Sequence, residues 1–325
     1  MNNILLTVGI PTFNGQEYLA HAIESVLSQL NENNLCSVEI VISDNASTDD
    51  TEQIVQRFVL EYPNTVRYHR NDDNLGFDRN VDNLFRIASG QYVEILGDDD
   101  YLANGALDLI LNVIRNDAGY GVLLLNVGFL NLSSMSEIAA NTFDSGREFS
   151  DKDEFFLWSK WRTAAISSIV IRKIDWLEIK LDQYMGNQWI HISALIEVMA
   201  INQKAYAFPD QMVTVRVGNV RWTNNGNQLK LGMIHLQVIS KMLDLGYRRE
   251  TFQSFVNDRF NNNLKDIILL APVSFNERIK IGRLMSLYFE SRFTFWALHV
   301  PMLLLFGYPL SMLKPIAFAI KRNLR

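Results

Sequence analysis

Along the first half of the chain, apolar residues alternate between two spacings. Leu5–Ile10 is a short apolar run and predicts a buried strand. Leu19, Ala22, Ile23, Val26, Leu27 and Leu30 then recur on one helical face. Val38–Ile42 predicts a second strand, closed by Ser43-Asp44-Asn45. Ser47, Thr48 and Asp49 offer capping side chains for a second helix running through Ile54 and Phe58. Val66–His69 predicts a third strand, and Val81, Leu84, Phe85 and Ala88 the inner face of a third helix. Tyr92–Leu96 predicts a fourth strand. Leu107, Ile110, Leu111 and Ile114 mark another helix, and Val122–Leu125 another strand.

Strand–helix alternation with all-apolar strands predicts an α/β fold, a mostly parallel sheet flanked by helices on both faces. In such sheets ligands bind beyond the carboxyl ends of the strands. Those ends carry Pro11-Thr12-Phe13-Asn14, Ser43-Asp44-Asn45 and Asp98-Asp99-Asp100, so polar groups from three strand ends converge on one edge. From about residue 140 the pattern weakens. Residues 150–163 predict a short helix, Ile166–Arg172 a strand, His191–Ala200 a helix, and Ala205–Phe208 and Met212–Val217 two further strands.

Hydrophobic content of 48% with 20% charged residues fits a folded globular chain. One cysteine, Cys36, excludes an intrachain disulfide and suits a reducing interior. The N-terminus has no basic stretch ahead of its short apolar run, so that run is expected to be a strand and not a signal peptide. The net charge of −6 hides an asymmetry: residues 276–325 hold eight Lys/Arg and two Glu, leaving the rest at −12. Such an acidic body excludes general nucleic-acid binding.

The sharpest chemical feature is Asp98-Asp99-Asp100, with no Lys or Arg within five residues on either side. Hard divalent cations such as Mn²⁺ or Mg²⁺ take oxygen ligands and share their shell with substrate phosphates. The competing reading is a solvated acidic turn, since Asp favours turns and helix starts. A nucleotidyltransferase would want a Gly-rich, Lys-bearing phosphate loop after the first strand, which VGIPTFNGQEYL lacks.

Five ordered blocks within residues 4–105 resemble the nucleotide-binding half of the family-2 glycosyltransferases, which have the GT-A (Rossmann-like) fold. They are Val8–Asn14 with Tyr18-Leu19, Glu24–Gln29, Val41–Asp49, Asn74-Leu75-Gly76 with Arg79-Asn80, and Ala88–Tyr92 leading into Asp98–Leu102. The resemblance implies that Pro11, Thr12 and Asn14 line the base and ribose and that Asp44 accepts a hydrogen bond from the base. It also puts Asn74 and Arg79 by the nucleotide sugar, Arg79 near the diphosphate, with Asp98 and Asp99 contributing. Asp98 and Asp100 are then the catalytic carboxylates and the ligands of Mn²⁺ or Mg²⁺. One departure stands out: Gly97 occupies the first position of the family's usual Asp-x-Asp-Asp. From the residues alone, Asp44 equally closes a turn, Asn74-Leu75-Gly76 equally serves only as a turn, and Arg79 equally pairs with Asp78 or Asp82.

Inverting members of that family activate the acceptor with a carboxylate pair, but Asn187 and Gln188 stand at the corresponding place. Three accounts remain open: His191 as base or ligand, Asp182 or another carboxylate reaching in, or a retaining reaction without a protein base. Gly186–His191 and Val215–Trp222 are similar to abequosyltransferase-like enzymes of O-antigen synthesis. That subgroup implies a CDP-dideoxyhexose donor and a lipid-linked oligosaccharide acceptor, with Arg216 and Arg221 at phosphate or simply on the surface, and Trp189 and Trp222 on sugar faces or in the core.

Between Arg292 and Lys314 lie 21 residues without formal charge, followed by Lys321, Arg322 and Arg325. Pro301, Gly307 and Pro309 argue against a straight span, which leaves a segment in the membrane interface or a buried helix pair. The expectation is a glycosyltransferase domain over 1–225 (donor half 1–125, acceptor half 126–225). A helical region follows over 226–325, with a membrane-associating segment at 293–325 on the cytoplasmic face. A non-catalytic nucleotide-sugar-binding scaffold is the alternative.

Overall fold

The computed structural model of the chain describes residues 4–140, 145–217, 238–239 and 241–254. Arg221, Trp222 and the expected membrane-associating segment 293–325 lie outside these residues.

Among the described residues ten strands join one sheet. Its first half is built from β1 (Leu6–Thr12), β2 (Val38–Asp44), β3 (Val66–Arg70) and β4 (Tyr92–Ile95) in the order β3-β2-β1-β4, all parallel. The helices α1 (Leu19–Leu27), α2 (Thr51–Glu61) and α3 (Phe77–Ile87) connect them. Beyond β4 lie β5 (Tyr101–Leu102), α4 (Ala106–Asn116), β6 (Val122–Asn131), β7 (Ser136–Ile138) and β8 (Arg147–Phe149). Then come α5 (Lys152–Ser159), β9 (Ile169–Arg172), α6 (Lys173–Glu178), α7 (Ile190–Ile201) and β10 (Ala205–Val217).

Both faces of the sheet are covered. Leu6, Val8 and Ile10 of β1 pack with α1 and α4, whereas Val93 and Ile95 of β4 pack with α3 and α7. Within β6 the faces alternate: Val122 and Leu124 join the second cluster, Leu123 and Leu125 the first. β1, β2 and β4 are therefore strands buried on two sides, whereas the edge strand β3 is buried only at Val66. Phe85 of α3 stacks on Trp176 of α6 with centroids 3.7 Å apart, and the indole Nε1 donates to Asp82 Oδ1 at 3.0 Å. That pair locks α6 of the second half onto α3 of the first.

The structure differs from the sequence reading in the second half. The two strands expected over 205–217 are one strand, β10, with register shifts on either side of Gln211. The strand expected from Ile166 begins with a 3-10 turn over Ile166–Ser168, and only Ile169–Arg172 is extended. β9 then runs antiparallel between β4 and β6. Period-2 and apolar-run signals do not report a partner's direction, which is why this inversion was not legible.

Candidate active site

Parallel register aligns the strand ends. Thr12 lies opposite Asp44, and Asp44 opposite Arg70. Gly9 pairs with Ile95, the last residue of β4, and three residues on from each stand Thr12 and Asp98. Equal lengths from a shared register bring the two together: Thr12 Oγ1 donates to Asp98 Oδ2 at 2.7 Å.

Asp44 is fully buried. Its Oδ1 accepts from the N–H of Ser47 at 2.9 Å and its Oδ2 from the Tyr68 hydroxyl at 2.6 Å, with Arg70 Nε 3.8 Å away. Burial, then the bond to Asp44, lifts the Tyr68 hydroxyl far above the usual tyrosine range. Asn14 adopts a left-handed backbone (φ 55°) and its Oδ1 accepts the Thr48 N–H at 2.8 Å, while its own N–H donates to Ser47 Oγ at 2.9 Å. Pro11 and Thr12 are buried in β1, and Phe13 beside them is 43% exposed. The loops after β1 and β2 thus form one hydrogen-bonded rim.

A network of amides sets the third wall. Asn80 Oδ1 accepts from Ser43 Oγ at 2.8 Å and from Asn71 Nδ2 at 2.9 Å. Asn45 donates to Asn74 Oδ1 at 2.8 Å and accepts the Leu75 N–H at 2.9 Å. This holds the Asn74-Leu75-Gly76 turn, where Gly76 takes φ 82°, directly ahead of α3. Arg79 follows on the exposed side of α3, and among the described residues it forms no ion pair. The two partners weighed for it are engaged elsewhere. Asp82 pairs with Arg86 at 2.9 Å, and buried Asp78 accepts the Gln188 N–H at 2.8 Å and the Ile190 N–H at 3.3 Å. Through Asp78, α3 also anchors the loop that begins α7.

The three aspartates differ in environment. Asp98 and Asp99 are half-buried; Asp100 is only 4% exposed. Asp100 Oδ2 accepts from Ser167 Oγ, and its Oδ1 accepts the Arg216 N–H at 2.9 Å. Burial first, then the charge of Asp99, holds the Asp100 carboxyl above the usual carboxylate range, against the pull of those two bonds. Gly97 explains the departure at the start of the acidic run. A Cβ there would sit 2.9 Å from Asp100 Oδ2 and 3.2 Å from Ser167 Oγ, so the Asp100 carboxylate fills the room a side chain would need.

Gly15 makes a second close approach. A Cβ on it would stand 2.3 Å from Thr12 Oγ1 and 2.7 Å from Asp98 Oδ2. Gly15→Ala is therefore expected to break the Thr12–Asp98 bond and turn the carboxylate away, lowering the rate of the reaction this edge supports at least tenfold while the melting temperature falls only a few degrees. Initial-rate assays beside thermal melts check this; an unchanged rate counts against Asp98 as a working residue.

His191 lies in the first turn of α7, 4% exposed, with Nε2 3.4 Å from the Ala164 carbonyl. Ala164 stands three residues before Ser167, so His191 backs the segment that supports Asp100. Asn187 Oδ1 accepts the Trp189 N–H at 2.7 Å, and exposed Gln188 has φ 62°. Asp182 is exposed. The structure thus brings Thr12, Asp44, Asn14, Asn74 and Asp98–Asp100 to one edge, with His191 behind it. Tyr68 and Ser167 were not singled out from sequence, and Ser47 was read only as a helix cap and Asp78 only as a partner for Arg79, since hydroxyls and single carboxylates carry no long-range spacing signal.

Among the described residues no group of three or more His, Cys, Asp or Glu side chains is arranged to hold a metal ion. Nor is any helix among them long and apolar enough to cross a membrane.

Residues 7–130 match the family described as Glycosyl transferase family 2. Over 205 residues the chain is 29% identical to the abequosyltransferase RfbV of Salmonella typhimurium, covering 60% of this chain and 61% of that protein. Over 194 residues it is 30% identical to the GalNAc(5)-diNAcBac-PP-undecaprenol beta-1,3-glucosyltransferase of Campylobacter jejuni, covering 58% and 59%. These matches span about three fifths of each relative's length. The fold resembles that of S. aureus TarS 1–349 in complex with UDP-GlcNAc, with a TM-score of 0.64 at 14% identity over 88% of this chain and 82% of that one. At that identity the likeness bears on fold alone.

Proposed function

Because residues 7–130 match glycosyl transferase family 2, we propose that the chain belongs to that family and transfers a sugar from a nucleoside diphosphate to a hydroxyl of a lipid-linked glycan. The observation that carries this reading is the register that sets Thr12, Asp44 and Arg70 in a row and binds Thr12 to Asp98. Donor and acceptor classes take support from the two relatives, an abequosyltransferase and a glucosyltransferase on a PP-undecaprenol glycan. A CDP-dideoxyhexose is the donor we favour, on the likeness to the abequosyltransferase. We assign the work to the cytoplasmic face of a membrane, where a lipid-linked acceptor lies and where the basic excess of residues 276–325 meets anionic lipid.

In this reading Pro11, Thr12, Asn14 and Asp44 bound the nucleoside, and Asn74 holds the turn that presents Arg79 to the diphosphate. Two of the three carboxylates, together with phosphate oxygens of a bound donor, would suit a hard divalent cation, Mn²⁺ or Mg²⁺. Ligation through Asp100 would break its bonds to Ser167 and Arg216, whereas ligation through Asp98 and Asp99 leaves them intact. We therefore assign the cation to Asp98 with Asp99, and Asp100 to holding the loop. Such an ion supplies Lewis-acid stabilisation of the charge on the departing diphosphate. The acceptor hydroxyl attacks the anomeric carbon as the bond to the diphosphate oxygen breaks. Its proton passes to the departing diphosphate oxygen, since residues 187 and 188 carry amides that are not bases at neutral pH.

The test is a thermal-shift panel of UDP, GDP, dTDP and CDP, each with and without Mn²⁺. Stabilisation by one nucleotide, enhanced by Mn²⁺ and followed by transfer from its sugar conjugate, is the expected result. Binding without transfer to any lipid-linked glycan favours the scaffold reading, and no response to any nucleotide overturns the site.

A further inference from the structure

Three adjacent carboxylates with no nearby cation in sequence need a counter-charge, and the fold supplies one from residue 216. β10 reaches the acidic run on its antiparallel partner β5, with Thr214 opposite Tyr101. Two residues on, Arg216 donates its backbone N–H to Asp100 Oδ1 at 2.9 Å and its Nη1 to the main-chain oxygen of Asp99. Its Nη2 donates to His21 Nδ1 of α1 at 2.9 Å. The guanidinium carbon lies 5.0 Å from the ring centroids of both Tyr18 and Tyr101, and His21 meets Tyr101 edge-on at 4.7 Å. One planar cation is thus fixed by two edge contacts and two rings.

We propose that Arg216 is the positioning residue of the acidic loop, resting on the function proposed above for what that loop then does. Its grip on Asp99 runs through the main-chain oxygen. The positive charge therefore sits beside the carboxylates and lowers their mutual repulsion. Its backbone bond to Asp100 works with Ser167 from the other side, so the middle of the loop is held between β10 and the turn before β9. Lysine does not replace it: a single ammonium lacks the forked geometry that reaches the Asp99 carbonyl and His21 at once beside two tyrosine rings.

The experiment uses the full-length protein as wild type, Arg216→Lys and Arg216→Ala. Hydrogen exchange of a peptide covering residues 96–103 is compared with that of β2, and Mn²⁺ affinity is measured with the nucleotide that best stabilises the wild type. Both variants should exchange at least tenfold faster at residues 97–102, where the N–H groups of Gly97, Asp100 and Leu102 are hydrogen-bonded, with β2 unaffected. They should also bind Mn²⁺ at least tenfold more weakly. Exchange within twofold of wild type in both variants overturns the tether, whatever the wild type binds. Faster exchange in both variants, when the wild type binds neither Mn²⁺ nor nucleotide, upholds the tether and removes the function assigned to the loop.

Discussion

Asp98→Asn should lower turnover by about a hundredfold or more, while the protein stays folded. The amide oxygen of Asn still accepts the Thr12 hydroxyl now donated to Asp98 at 2.7 Å, so the loop keeps its anchor. What disappears is one negative charge from the half-buried pair, Asp98 and Asp99, that we assign to the cation. Removing one donor of an oxyanion hole costs about 10² to 10³ in turnover, and the loss of this charge is expected on the same scale. Initial rates at saturating donor and Mn²⁺, with melting curves in parallel, give the answer. A variant within threefold of wild type would falsify the assignment of Asp98 to the reacting diphosphate. A tenfold loss with a collapsed melting temperature would instead mark the residue as structural.

The second large effect concerns stability. Glu94 sits in the middle of β4, opposite Val8 of β1 and Val170 of β9, fully buried, with neither carboxylate oxygen hydrogen-bonded. Burial alone pushes its carboxyl up to about 8. Glu39, also buried, has the opposite outcome. Burial raises it, but the Ser89 N–H, the Thr7 hydroxyl and Arg67 together bring it below the ordinary value. The sign for Glu94 follows from where each state holds its proton. The unfolded chain releases it near pH 4.5 and the folded chain near 8, so stability falls as pH rises through that window and levels off above it. At pH 7.5 the loss approaches about 4 kcal/mol, taking about 1.4 kcal/mol per unit as an upper bound. Glu94→Met, which keeps volume and removes the charge, should therefore raise the melting temperature by several degrees at pH 7.5 and flatten its fall between pH 5 and 8. Parallel pH profiles for the two proteins would show that Glu94 has found a partner.

Much of the first half was legible because its signals are local. The face of α1 marked by Leu19, Ala22, Ile23 and Val26 is buried as its spacing indicated. β1 and β2 are buried at every position, as expected of strands covered on both sides. Polar residues at strand ends pointed to one edge because a parallel sheet places all such ends together. Legibility fell where pairing is non-local. A 3-10 turn and four residues of antiparallel strand at 166–172 look the same in sequence as one parallel strand. The pairing choices weighed for Arg79 were also beyond reach. Trp176 and Arg86 take Asp82, and the α7 loop takes Asp78, through contacts that include separations of 94 and 110 residues.

The amino-acid order alone determined the alternation of strand and helix, the family resemblance, and the gathering of Thr12, Asp44 and Asp98–Asp100 on one rim. Each follows from period, turn chemistry or short spacing, which act within a few residues. Only the folded chain decided how three adjoining carboxylates coexist: Asp100 turns inward into the room left by Gly97, and a guanidinium 116 positions further on closes over the loop. Coulomb interactions depend on distance in space and not along the chain, so the counter-charge was present in the sequence but unassigned until β10 lay beside β5.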